Sequence, residues 1–518
     1  METGFRKWII TITVIISAII ELIDTTIVNV SINTMSGNLA AALEDTAWVI
    51  TSYAIANVII IPMTSFLAEK IGRKQYYVGS IILFTVASAL CGFSTNLWEL
   101  VAFRFLQGLG GGALLSTSQA ILFETFPPKD RAVASGIFSL GIIIGPSIGP
   151  VMGGYIVDNM SWQWIFFVNI PIGLLATLLC IRYLRPSSPS RDGKPIDWLG
   201  IALLSMGVGS LQVVLERGET DDWFSAAYIC VLTALSVLSL TLFVWWELRT
   251  KFPVVNLRVL KSMTLSVSAI MTFVLGFGLF SAVFVFPLYA QRILGYSAFQ
   301  TGLMLLPGTL LAAMVSPFLG KMLQRGIKPQ YMVIAGFLMT AVFNYRMSGM
   351  NLESGTPNFM LSLILRGVGA SLLIVPLTAL AVSELQPRDI PQGAALNNMM
   401  RQMGGSFGIA LINTYIAHRS AYNRTSLIAH VTASDLPTQS WLQQATNRFL
   451  ANGATLWQAS RQALAGLENT VVRQTFLLSY MDAFLLLFLL NAVCIPLVFT
   501  TIRKKKAAAG PPPVVSDH

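Results

Sequence analysis

Shifted against itself by 259 residues, the chain lays QGLGGGALLSTSQAILFETFPPKD, residues 107–130, over RGVGASLLIVPLTALAVSELQPRD, residues 366–389. Gly108 then falls on Gly367, Gly110 on Gly369, Pro128 on Pro387 and Asp130 on Asp389, and further along Gly145 and Gly149 fall on Gly404 and Gly408. Leucines coincide easily in apolar segments, but glycines and prolines held in register mark a structural repeat. Parallel repeats of six-helix halves are one way to build a transporter. The stretch from about Trp198 to Trp246 has no counterpart and reads as a helix pair inserted between the halves.

Composition agrees. Of 518 residues, 54% are hydrophobic and only 11% charged, which excludes a soluble protein with an ordinary core. A spanning helix needs about 20 apolar residues, and segments of that kind can be centred near Ile19, Ala56, Leu83, Leu109, Ile144, Leu174, Met206, Ala234, Val274, Ala312, Phe337, Ala370, Ile409 and Phe488. The expected fold is therefore an all-α polytopic membrane protein with 14 transmembrane helices, two six-helix pseudo-repeats plus the inserted pair. Residues 1–185 form the first bundle and 186–256 the linker and inserted pair. Residues 257–502 form the second bundle, with an outer segment at 418–474, and 503–518 a disordered cytoplasmic tail. The first apolar run is too long for a signal peptide and reads as retained.

The net charge of +10 would suggest nucleic acid in a soluble protein. Here most basic residues, among them Arg6, Lys7, Lys70, Arg73, Lys74, Lys129, Arg131, Arg182 and Arg503 to Lys506, fall in alternate connections on one side. This bias sets both termini in the cytoplasm and makes the bilayer, not nucleic acid, the partner. Four scattered cysteines and three scattered histidines offer neither a disulfide framework nor a metal site.

Arg104, Arg366 and Arg401 remain inside expected helices, as do the acids Glu21, Asp24 and Asp482. A charge near the bilayer centre costs roughly 2.5–3.5 kcal/mol on insertion scales and marks a functional site. Counted from the outer ends of their helices at about 1.5 Å per residue, Asp24 and Arg104 lie at one depth, about 10 Å below the surface. They are expected to pair, and protonating the acid would release the base. Glu21, one turn deeper on a similar face, is a second proton site or a binding group for a cationic ligand. The same count puts Arg366 and Asp482 in the outer part of the membrane, where a second ion pair could form, and Arg401 nearer the cytoplasm.

The turn between the second and third helices crowds Glu69, Lys70, Arg73 and Lys74 around Gly72. It serves either as a topology anchor or as a latch whose ion pairs break when the halves move. In the fifth helix Gly141, Gly145, Gly149 and Gly153 recur every fourth residue, a smooth face for close helix approach. Pro146 and Pro150 in the same helix invite a bend. The outer segment reads as short surface helices with glycine stops, a docking surface or a passive cap.

DTTIVNV from Asp24, SFLAEKIGRK from Ser65, RFLQG from Arg104, GPSIGPVMGG from Gly145 and WQWIFFVNIPIG from Trp162 together resemble the signature set of the fourteen-helix drug:proton antiporters of the major facilitator superfamily, the EmrB/QacA group. DWLGIALL followed by LQVVLERGETDDWF is similar to that group's inserted pair, and the outer segment with YMDAF resembles the branch that works with a periplasmic adaptor and an outer-membrane channel. The resemblance implies Asp24 as proton-linked acid, Arg104 as the coupling arginine, Gly72, Arg73 and Lys74 as gating turn, and Gly145, Pro146, Gly149 and Pro150 as antiporter motif. Three positions depart from the pattern: Ser65 replaces a glycine, Glu69-Lys70 an Asp-Arg, and Asn33 a proline.

The expected function is proton-driven export of amphipathic, aromatic and often cationic small molecules from the inner membrane, with a proton gradient and no cofactor. A narrow-substrate metabolite or siderophore exporter is the alternative on this fold, and a channel or scaffold the alternative from another class. An intramembrane enzyme is disfavoured, because no nucleophile and base fall together.

Overall fold

The computed structural model describes residues 4–185, 197–351, 354, 356–386, 389–432 and 434–507. The expected linker at 186–196, Pro387 of the repeat, and the tail from 508 lie outside the described residues. Within them the chain is helical and without strands. We number its long helices α1 (Gly4–Asn38), α2 (Trp48–Ile71), α3 (Arg73–Phe93), α4 (Leu97–Thr125), α5 (Arg131–Asn159), α6 (Asn169–Tyr183), α7 (Trp198–Arg217), α8 (Ala227–Arg249), α9 (Met263–Arg292), α10 (Ala298–Gln324), α11 (Pro329–Ser348), α12 (Thr356–Ser383), α13 (Ile390–Ile428), α14 (Leu436–Ala451) and α15 (Leu456–Ala507). Every expected span centre falls in its own helix, with α14 the addition. Among the described residues 11 of the helices are, by length and composition, apolar enough to cross a membrane; α14 is not among those, nor are α4, α11 and α13, which carry Arg104 and Gln107, Asn344 and Arg346, and Asn397, Asn398 and Arg401.

Local chemistry sets several of the boundaries. Asn96 caps α4 by accepting from the Glu99 N–H at 3.0 Å, and Asp197 caps α7 through Gly200 at 2.8 Å. Ser297 and Gln300 form a reciprocal capping box at the start of α10. The connection between α2 and α3 is a single residue, Gly72, whose φ of 97° is a conformation open to glycine and strained for side chains. That is much tighter than the turn of about eight residues the charge cluster suggests, and the charged residues flanking Gly72 belong to the helix ends.

Gly141, Gly145, Gly149 and Gly153 of α5 face α1, while Gly136 and Gly154 face α10. A Cβ on Gly141 would touch Ile15 and Ile19, one on Gly145 would sit 2.5 Å from Leu22, and one on Gly153 2.9 Å from Ile27. Ridge and groove are matched so closely that α5 runs as one helix through both Pro146 and Pro150. The second half repeats the device: Gly404 and Gly408 of α13 press on Phe273 and Phe277 of α9. The opposite side of α5 packs along α10 of the other half, where Ser147 and Thr309 share a hydrogen bond of 2.7 Å and Gln324 donates to Asp130 at 2.6 Å. A second seam forms where Asn398 of α13 donates to Gln119 of α4 at 2.8 Å. The inserted α7 and α8 pack on each other, and α7 lies against α2 and α13, at the junction of the halves.

The outer segment differs from separate short helices. The α13 helix continues to Ile428, α14 folds back after it, and from Leu456 a single helix of 52 residues runs through Gly466 into the membrane. At about 1.5 Å per residue this α15 is roughly 78 Å long, more than twice a hydrocarbon core of about 30 Å. Gly453, with φ of 89°, supplies the expected stop after α14.

Because the groove between α1 and α5 has no spare room, Gly149→Leu is expected to destabilise the protein by roughly 1–3 kcal/mol, the cost of overpacking. Gly79→Ala, where a Cβ meets nothing within 4 Å, is the control. Thermal unfolding in detergent checks the difference.

Candidate functional site

The structure brings Asp24 and Arg104 together in the first half. Arg104 Nη1 donates to Asp24 Oδ2 at 2.6 Å, and the two side chains are 1% and 0% exposed. Removing two charges from water costs several kcal/mol each unless every remaining polar atom is satisfied, and the neighbours do this. Gln107 Nε2 and Asn169 Nδ2 each donate to Asp24 Oδ1 at 2.9 Å. Arg104 donates in turn to Gln107 Oε1 at 2.8 Å and to the Val49 carbonyl at 3.2 Å. Asn169 is positioned by Ser88 at 3.1 Å, whose hydroxyl donates to the Phe166 carbonyl at 2.9 Å. The Tyr53 ring covers the guanidinium 4.1 Å from its centroid. Five helices, α1, α2, α3, α4 and α6, thus meet at one carboxylate.

Gln107, Asn169, Ser88 and Tyr53 are the site residues that sequence reasoning did not single out. Their signal was present: Gln107 is one turn from Arg104 in RFLQG, and Asn169 is the polar residue of FFVNIPIG. Neither bears a charge, and an uncharged polar residue in an apolar helix has no evident partner until helices are packed.

Glu21 is buried but apart from this network. Its Oε1 accepts from Asn57 of α2 at 3.0 Å and its Oε2 has no hydrogen-bond partner. Arg401 of α13, also buried, lies within electrostatic range of it from the other half.

Arg366 and Asp482, the candidates for a second ion pair, do not meet. Asp482 Oδ2 instead accepts from Arg419 Nε at 2.7 Å, with Asn423 nearby at 3.4 Å. The depth count failed because α13 stays helical beyond His418, so Arg419 and Asn423 stand beside α15 at the level of Asp482. Arg366 is buried elsewhere in the second half.

At the Gly72 turn, Arg73 pairs with Glu124 at the end of α4. Lys74 Nζ donates to the carbonyls of Ile181 at 2.6 Å and Leu184 at 2.8 Å. It thereby neutralises the negative end of α6, which gives a lysine its most favourable place. Glu69 and Lys70 are exposed at the end of α2. Gly145, Pro146, Gly149 and Pro150 lie on α5, whose glycine face packs on the stretch of α1 that carries Glu21 and Asp24.

Residues 14–409 match the Major Facilitator Superfamily. The chain belongs to that superfamily. It is 32% identical over 490 residues, 94% of this chain and 95% of the relative, to the fatty acid resistance protein FarB of Neisseria gonorrhoeae. It is 32% identical over 487 residues, 93% and 92% of the two chains, to the multidrug export protein EmrB of Escherichia coli strain K12. Among solved superfamily structures, the proton:xylose symporter XylE aligns with a TM-score of 0.55 at 15% identity, over 82% of this chain and 90% of that one. A bacterial homolog of the human lysosomal transporter Spinster aligns with a TM-score of 0.56 at 15% identity, over 99% and 100%. The protein is thus a multi-pass membrane transporter with the superfamily's fold, and the Asp24 network sits inside its first half.

Arg104→Met would strand a buried carboxylate and is expected to lower stability by roughly 3–5 kcal/mol. Adding Asp24→Leu should recover most of that loss. Unfolding midpoints of the single and double variants measure the coupling; additive losses would mean that the two side chains act separately.

Proposed function

We propose that this protein is a proton-driven exporter of amphipathic small molecules, seated in the inner membrane with both termini cytoplasmic. The observation that carries the proposal is the Asp24 network: a sealed, fully hydrogen-bonded carboxylate on the helix that packs against α5, the helix that also packs against the other half. An acid is kept in such a place, at such a cost, when its charge is used.

Asp24 accepts a proton from the outer side and loses its charge. Arg104 then has Gln107 and the Val49 carbonyl as partners but no counter-ion, and the grip of Gln107 and Asn169 on Asp24 Oδ1 loosens. The α1 helix shifts along the glycine face of α5, and α5 carries the change to α10. The equilibrium between outward and inward arrangements moves by the difference in proton affinity between them. Release of the proton to the cytoplasm restores the pair. At the cytoplasmic surface the ion pair of Arg73 with Glu124 and the Lys74 contacts to α6 hold the first half together as it rocks. Glu21, facing Arg401 across the halves, is the second acid whose charge the motion alters.

The names of the relatives, multidrug export and fatty acid resistance, support amphipathic substrates and the antiport direction. The long α15 and α14, projecting beyond the span of a bilayer with Leu456 and Trp457 exposed, support docking of a periplasmic adaptor that leads to an outer-membrane channel.

Efflux of a fluorescent amphiphile from proteoliposomes under an imposed pH gradient tests the reading. Wild type should transport only with the gradient, and Asp24→Asn should insert normally yet lose proton-driven efflux. Gradient-independent flux would remove antiport, and normal transport by Asp24→Asn would move the proton to another acid. Deleting residues 434–455 should spare vesicle transport but reduce resistance in cells; equal loss in both assays would count against docking.

A further inference from the structure

Arg366 repeats Gln107. At the shift of 259 residues that relates the halves, Gln107 falls on Arg366, Arg104 on Leu363 and Asp24 on Val283. In the first half α1, α3, α4 and α6 gather Asp24, Ser88, Arg104, Gln107 and Asn169. In the second, the corresponding α9, α11, α12 and α15 enclose a cavity of about 20 Å³ lined by Arg366, Asn344, Thr340, Asn491 and Ala282. A cation, amides and a hydroxyl line it and no carboxylate does; Val283, at the register position of Asp24, is not among the lining residues.

Arg366 is 8% exposed, and its Nε and Nη1 have no protein acceptor. Among the described residues no carboxylate acts on it electrostatically. Thr340 donates to Asn491 Oδ1 at 3.0 Å, the Asn491 amide nitrogen donates to the Leu487 carbonyl at 2.7 Å and that of Asn344 to the Thr340 carbonyl at 2.8 Å; Asn344 Oδ1, also unpartnered, lines the same cavity, and none of these groups is bonded to Arg366 Nε or Nη1. A buried arginine without a counter-charge is strongly disfavoured, whereas a planar guanidinium beside amides and apolar side chains is a good receptor for a small anion or a carboxylate. The volume is that of one water-sized group, above the roughly 10–15 Å³ such a group needs.

We propose that this cavity is an anion site, in which a singly charged group answers the buried guanidinium of Arg366. Its source is either an inorganic halide or the carboxylate head of an amphiphile. The inference goes beyond the efflux reading, since binding is measured without a pH gradient.

The test uses the full chain in nanodiscs. Unfolding midpoints are followed in sodium chloride against sodium gluconate, and titration calorimetry in chloride-free buffer compares decanoate with decanol. Wild type should be stabilised by chloride, bind decanoate in competition with chloride, or both; decanol should not compete. A chloride effect without decanoate binding identifies the halide as the occupant, and decanoate binding identifies the carboxylate. Arg366→Gln should weaken the anion response about tenfold or more. Ala282→Asp, which supplies the missing acid from within, should remove the response while keeping the protein folded. The proposal is overturned if wild type responds to neither anion, or if either variant responds as wild type does.

Discussion

A carboxylate placed in a low-dielectric interior can keep its charge only if the protein answers it completely, and the architecture of the first half follows from that demand. Asp24 needs a cation, so Arg104 comes from α4; it needs its second oxygen filled, so Gln107 and Asn169 come from α4 and α6. Arg104 in turn needs acceptors and takes the Val49 carbonyl and the Tyr53 ring from α2. The partners arrive on three other helices, α2, α4 and α6, so the packing of the bundle and the charge state of one residue are a single problem. A buried pair of this kind contributes little net stability over an apolar isostere, while the loss of one member is costly. That asymmetry suits a switch better than a brace.

The rest of the fold supplies the switch with something to move. Behind Asp24, the α1 side chains Leu22, Thr26 and Ile27 seat in the glycine groove of α5, so a displacement of α1 is passed directly to α5. On its other side α5 runs along α10, so any displacement of the seam is felt by the second half. The second half has its own glycine seam between α13 and α9 but no acid in the matching place. The two halves therefore share a frame and differ in chemistry: between the matching helices one holds a buried ion pair, the other the guanidinium of Arg366 without a carboxylate.

Much of this was legible in the residues alone. The repeat gave the halves because glycine and proline positions are dictated by backbone approach, which survives when side chains drift. Depth counting paired Asp24 with Arg104 because both lie on helices whose ends are marked by polar residues. The same count failed for Asp482, since α13 and α15 continue as helices past the bilayer and the apparent end near His418 is no end. Gln107, Asn169 and Ser88 escaped notice because a neutral polar side chain has many permissible partners and only tertiary packing selects one. The Gly72 turn was read in the right place and with the wrong length, as charged residues at helix ends look like a loop when only polarity is considered.

The central claim is that Asp24 is the group that takes up the proton. Infrared difference spectra of the reconstituted protein, recorded as pH is stepped downward, observe this directly through the C=O stretch of a protonated buried carboxyl. The account predicts a band that is absent from Asp24→Asn and retained in Glu21→Gln. A band that survives in Asp24→Asn and vanishes in Glu21→Gln would contradict it and place the coupling at the interface between the halves.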